Sequence, residues 1–174
     1  MKIHGISDKR ASSIEDPAKS IKKFYEQNIF TKKCFRRRCG GKGAKLTGAT
    51  SSNYIILDGD EIKKCLKKEE QSADCVLIKH VYENEEVIYF IELTSGSHHW
   101  KKILSKLQNT YQRIHYAFEN MDLSHPRADF LYIGRLVSAR EYSILKSKEI
   151  ITENGKRPIN SVAEECDIKD LIRE

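Results

Sequence analysis

The sequence predicts an α/β fold, one mixed β-sheet flanked by helices, and three observations carry that prediction. Two β-branched and aromatic runs, Cys75 to Tyr82 and Val87 to Leu93, flank the polar stretch Glu83-Asn84-Glu85-Glu86 and read as an antiparallel hairpin. After Gly96 the apolar period changes. Trp100, Ile103, Leu104, Leu107, Tyr111, Ile114 and Phe118 form a stripe of 3.6-residue period, which predicts a long helix over roughly residues 98 to 119. A further strand-like run from about Phe130 to Val137 follows the turn at Pro126. Strands interleaved with helices in this order call for a sheet whose faces helices cover.

Taken from the N-terminus, Ser20 to Phe30 has helical spacing, and Asp16 before Pro17 supplies a cap and a first-turn proline, so the helix is expected to begin at Pro17. Tyr54 to Leu57 reads as a strand closed by the turn signal Asp58-Gly59. Ile62, Cys65 and Leu66 share a face over one or two helical turns. Beyond the central hairpin and the long helix, Tyr142 to Asn160 looks like two short strands around Asn154-Gly155. The end, from Ser161, is mildly helical and acid-leaning. Neither an internal repeat nor a long linker interrupts the 174 residues, which fit a single domain.

A hydrophobic content of 39% with 32% charged residues describes a globular chain, and no apolar run reaches the length of a membrane span. The opening MKIHGISDKRASS lacks the apolar segment of a secretory signal, so a cytoplasmic location is the expectation. The five cysteines are odd in number and form no CxxC. They read as free thiols of a reducing compartment rather than as zinc ligands or a disulfide framework. The net charge of +6 is unevenly placed: residues 31 to 48, TKKCFRRRCGGKGAKLTG, hold seven basic residues and no acid. Such a field attracts polyanions. Lys33, Arg36, Arg37, Arg38, Lys42 and Lys45 are therefore candidate phosphate contacts, on a basic loop whose glycines allow close backbone approach. A mobile, solvated loop is the plainer reading of the same residues.

The stretch YFIELTSG, Tyr89 to Gly96, places a carboxylate, Glu92, inside an apolar strand, where burial is costly unless its charge is compensated. Asp74 precedes the first hairpin strand. A turn near Asn84 and Glu85 would bring both acids to the open end of the hairpin, close enough to hold a hard divalent cation. Each acid also has an ordinary reading, Asp74 as a strand-start residue and Glu92 as the partner of a basic side chain.

Asp74 before one strand, Glu92-Leu93-Thr94 at the end of the next, and a long helix carrying Gln112 and Tyr116 together resemble the restriction-endonuclease-like PD-(D/E)xK nucleases, with the Gln-x-x-x-Tyr element of their RecB-like branch. The resemblance spans roughly residues 54 to 137. It implies a mixed-sheet nuclease core, Mg2+ or Mn2+ held by Asp74 and Glu92, a site completed by Gln112 and Tyr116, and DNA rather than RNA as substrate. A homodimer is one arrangement that would let a 20.1 kDa domain cut both strands. Thr94 stands where the motif has lysine, and a threonine supplies neither a cation nor a useful base. Lys79, Lys101, Lys102, His98 and His99 are the substitutes that sequence position suggests. If none serves, the chain is a nuclease-fold nucleic-acid-binding or regulatory module without turnover.

Overall fold

The computed structural model describes residues 17–36, 38–41, 44–47, 54–67, 69–80, 86–94, 99–123, 125–135, 138–162 and 165–167. Among them the chain runs α1 (Pro17–Asn28), a 3-10 turn (Lys32–Cys34), β1 (Phe35–Arg36), β2 (Cys39–Gly41), β3 (Ala44–Thr47), β4 (Tyr54–Asp58), α2 (Gly59–Cys65) and β5 (Cys75–His80). It continues with β6 (Glu86–Thr94), α3 (Trp100–Asn120), β7 (Arg127–Gly134), α4 (Ala139–Lys146), β8 (Glu149–Thr152), β9 (Gly155–Val162) and β10 (Glu165–Asp167). A seven-stranded mixed sheet, ordered β1-β4-β5-β6-β7-β9-β8, forms the frame, and a three-stranded sheet, β10-β3-β2, lies against β6 and β7. The pairs from β1 to β6 are antiparallel, β6–β7 and β7–β9 are parallel, and β8–β9 closes as a hairpin. The α/β expectation therefore stands as a mixed sheet flanked by helices.

Alternation along β5 and β6 divides the core into two faces. Val76, Ile78, Ile88 and Phe90 turn toward the side where Tyr25 and Phe30 from the α1 region and Ile103, Leu107, Ile114 and Phe118 of α3 pack. Leu77, Val87, Tyr89 and Ile91 form the opposite cluster with Leu131, Ile133 and Cys39. Stacking of Phe90 on Phe130, with ring centroids 5.2 Å apart, joins β6 to β7 on the helix side.

Several expectations need correction. Tyr142 to Lys146 is not strand but the end of α4, which starts behind Ser138, whose hydroxyl accepts from the Glu141 amide as an N-cap. The Asn154-Gly155 hairpin does form, with Gly155 at φ 101°. The tail from Ser161 is not helical where described: it finishes β9 and continues into β10, parallel to β3. Asp58-Gly59 closes β4 as the cap of a helix, Asp58 accepting from the Glu61 amide. The basic segment is not a plain loop, since it carries β1, β2 and β3. Strand β7 begins at Arg127, three residues earlier than expected. The hairpin turn, Asp16 and His98 lie outside the described residues.

Cys39 and Cys75 are joined by a disulfide, with Cα atoms 6.1 Å apart, while Cys34 and Cys65 are free. This overturns the reading of every cysteine as a free thiol. The pair is separated by 36 residues, and packing of β2 across the start of β5 brings it together, so local spacing carried no sign of it.

Candidate functional site

Register places the two acids. Cys75 pairs with Ile91, so Asp74 and Glu92 flank the same end of the hairpin, and the pleat sends both toward α3. Asp74 is fixed from three directions. Its Oδ2 accepts from the Leu93 amide at 2.7 Å, its Oδ1 lies 3.5 Å from Lys106 Nζ, and its carbonyl accepts from the Gly59 amide at 3.1 Å. A Cβ at Gly59 would come within 1.6 Å of the Ala73 carbonyl oxygen, so only glycine lets α2 start this close beneath the Asp74 segment.

Lys106 answers what Glu92 faces. It stands in the second turn of α3, with Nζ 2.5 Å from Glu92 Oε1, its side chain 18% exposed and that of Glu92 4%. Position Lys106 begins a polar row at i, i+4 and i+7 along the helix. Buried Thr110 accepts from the Ala73 amide at 2.7 Å and donates to the Lys106 carbonyl. Buried Arg113 donates to Ser72 Oγ at 2.7 Å and to the Glu70 carbonyl and carboxylate at 2.6 and 3.0 Å. Three side chains of one helix thus hold the segment leading into β5 and set the height of Asp74.

The second oxygen of Glu92, Oε2, is buried and lacks a hydrogen-bond partner. Burial, then the neighbouring Asp74 charge, pushes the Glu92 carboxyl up to about 7 against the opposing pull of Lys106. Burial lowers the Lys106 pKa, but the Glu92 hydrogen bond and the charges of Asp74 and Glu92 outweigh it and leave the ammonium raised above its ordinary value. Two carboxylates, Asp74 and Glu92, thus meet one ammonium, Lys106, at the end of the hairpin.

The other sequence candidates distribute differently. Thr94, half-buried at the end of β6, shares the face of Glu92. Gln112 and Tyr116 line an outward groove on α3 with Leu66 and Glu70, and Tyr116 is 60% exposed; the described contacts do not bring either to the acidic pair. Gln108, one turn before Gln112, bonds to the backbone of Ile151 on β8. Lys79 is buried in β5 on the face opposite Glu92, Lys101 and Lys102 are exposed, and His99 precedes α3 without capping it through its side chain. In the basic segment, Lys33 and Arg38 are exposed, and Arg36 is held by Asp58 at 3.1 Å and by the Lys33 carbonyl at 2.8 Å. Arg37 and Lys42, like the side chain of Lys45, lie outside what is described.

Lys106 is the residue that sequence reasoning missed. Its signal was a lysine in register with Thr110 and Arg113 beside the apolar stripe, in the second turn of the helix. A second cluster was missed as well. Toward the other end of α3, His115, Glu119 and His125 place one ligand atom each within 4.8 Å of one another and could coordinate a metal ion. Among the described residues, no helix is long and apolar enough to cross a membrane. Compared with protein-family models, curated proteins and solved structures, the chain matches none.

Proposed function

We propose that the chain is a metal-dependent phosphodiesterase acting on nucleic acid, built on a restriction-endonuclease-like core, in which Lys106 supplies the cation that Thr94 cannot. The observation that carries this reading is the Lys106 ammonium set between Asp74 and Glu92, 3.5 and 2.5 Å from their oxygens. A lysine delivered from the helix reaches the same pair of acids that a lysine two residues after Glu92 would serve from the strand.

A divalent ion held by Asp74 and Glu92 would activate water and neutralise charge on a phosphate. In this reading Lys106 orients a water or the scissile phosphate and adds positive charge where the transition state gains negative charge. The row Lys106-Thr110-Arg113 keeps Asp74, at the bend before β5, at fixed height beside Glu92 on β6, so the two acids are preorganised. Exposed Lys33 and Arg38, with the rest of the basic segment, contact backbone phosphates. DNA is favoured over RNA on the resemblance alone, and a homodimer would present two such sites to a duplex.

A second reading has its own support. The hydrogen bond from Lys106 to Glu92 already compensates one carboxylate internally, as befits a nuclease-fold module that binds nucleic acid without cutting it. The deciding experiment is a cleavage assay on supercoiled, linear and single-stranded DNA and on RNA, with Mg2+ or Mn2+, for wild type, E92A and K106M. Metal-dependent cleavage that E92A abolishes and K106M slows by about 100-fold or more is expected. Salt-sensitive binding without cleavage by wild type would establish the silent module. Cleavage by K106M at the wild-type rate would remove Lys106 from the chemistry.

A further inference from the structure

We propose that His115, His125 and Glu153 form a second metal site, selective for a zinc-class divalent transition ion and separate from the acidic pair. His115 lies nine residues beyond Lys106 on α3, about 14 Å along the helix axis at 1.5 Å per residue. His115 Nε2 is 3.2 Å and His125 Nε2 3.9 Å from the same oxygen, Glu153 Oε2. The imidazoles face each other with ring centroids 4.0 Å apart. Ligand atoms about 2.0–2.2 Å from a tetrahedral zinc sit roughly 3.3–3.6 Å from one another, and the two imidazole-to-carboxylate separations lie close to that length. The recess that these residues line has a volume of about 30 Å³, room for one ion or water.

Two details beyond the ligands point the same way. His115 Nδ1 is buried without a hydrogen bond, and Glu119 Oε1 stands 3.8 Å from it, one helical turn on. A shift of under about 1 Å would close this to the carboxylate–histidine contact that fixes a metal-binding imidazole with its other nitrogen toward the ion. Glu119 is therefore a positioning residue. Glu153 is held in place through its amide, which donates to Tyr111 Oη at 3.1 Å. Two imidazoles and one carboxylate favour zinc over magnesium or calcium, which prefer all-oxygen shells. The ligands come from α3, from the connection into β7 and from the β8–β9 turn, so an ion would join three separate segments.

The test titrates the metal-free protein with Zn2+ and, for its spectrum, with Co2+, in the presence of excess Mg2+. Wild type, H125A, E153Q, E119Q and E92Q are compared. One equivalent of Zn2+ is expected to bind wild type and E92Q alike. H125A and E153Q should lose at least about 100-fold in affinity and E119Q about 10-fold. Circular dichroism of each metal-free variant checks folding, and His125, on a connecting segment, is the substitution least disruptive to the core. Bound Co2+ should give visible bands of a four-coordinate nitrogen–oxygen site, without the thiolate absorption that Cys34 and Cys65 would produce. Zinc affinity unchanged in folded H125A and E153Q, loss of the site in E92Q alone, or a thiolate spectrum would each overturn the assignment. The site survives if the nuclease reading fails, because no residue is shared.

Discussion

Glu92 has one oxygen on Lys106 and the other buried without a hydrogen bond, while Asp74 adds a like charge nearby. Its carboxyl is pushed up to about 7, whereas an unfolded glutamate releases its proton near pH 4.3. In that window the folded chain binds the extra proton, so Glu92 removes stability as pH rises from about 4.5 to 7. E92Q keeps the shape without the charge. In the absence of divalent cation it should be more stable than wild type by about 1–3 kcal/mol at pH 8 and indistinguishable at pH 4, measured by urea unfolding. A difference that does not vary with pH would remove this account of the site. Added Mn2+ should reverse the order at pH 8, stabilising wild type and leaving E92Q unmoved. The strain on Glu92 was legible in the sequence, because an acid among Ile91 and Leu93 has no cheap resting place. Its partner was not, because a lysine on a long helix reads equally well as part of a solvated face.

Helix α3 acts as a ruler for the segment before β5. Thr110, fully buried, is the middle mark, bridging the Ala73 amide and the Lys106 carbonyl. T110V keeps the volume and strands the Ala73 amide, so about 1–3 kcal/mol of stability should be lost. A loss below about 0.5 kcal/mol would show that water takes the place of the hydroxyl. G59A places a methyl where the Ala73 carbonyl stands. It should displace Asp74 and weaken Mn2+ binding even where the fold survives, which calorimetric titration would record. At this scale the strongly periodic parts were readable: α3, the central hairpin and the Asn154-Gly155 turn all follow from residue pattern. Helix α4 was misread because Tyr142, Ile144 and Leu145 suit a strand, while the decisive cap, Ser138 with Glu141 three residues on, lay just upstream. The tail was misread because β10 depends on a partner, β3, more than a hundred residues earlier, and nothing local reports such pairing.

Across the whole molecule, the Cys39–Cys75 disulfide ties the small sheet to the strand that follows Asp74. A closed loop with 36 residues of separation corresponds to about 3–4 kcal/mol of stabilisation in the chain-entropy account. Denaturant unfolding of wild type with and without reductant should show that loss, and C39S/C75S should unfold like the reduced protein under both conditions. An unchanged midpoint on reduction would mean that the two sheets stay docked without the bond. At the far edge of the large sheet, β8 presents a strand of four residues, with Ile151 65% exposed. There Gln108 donates to the Ile151 carbonyl at 2.8 Å and accepts from its amide at 2.9 Å, so one side-chain amide does what a peptide group of an added strand would do. That plug is a guard against unwanted polymerisation: Q108A would leave a sticky apolar border open to another chain, and light scattering should find concentration-dependent clumping in it at loadings where the parent stays clear.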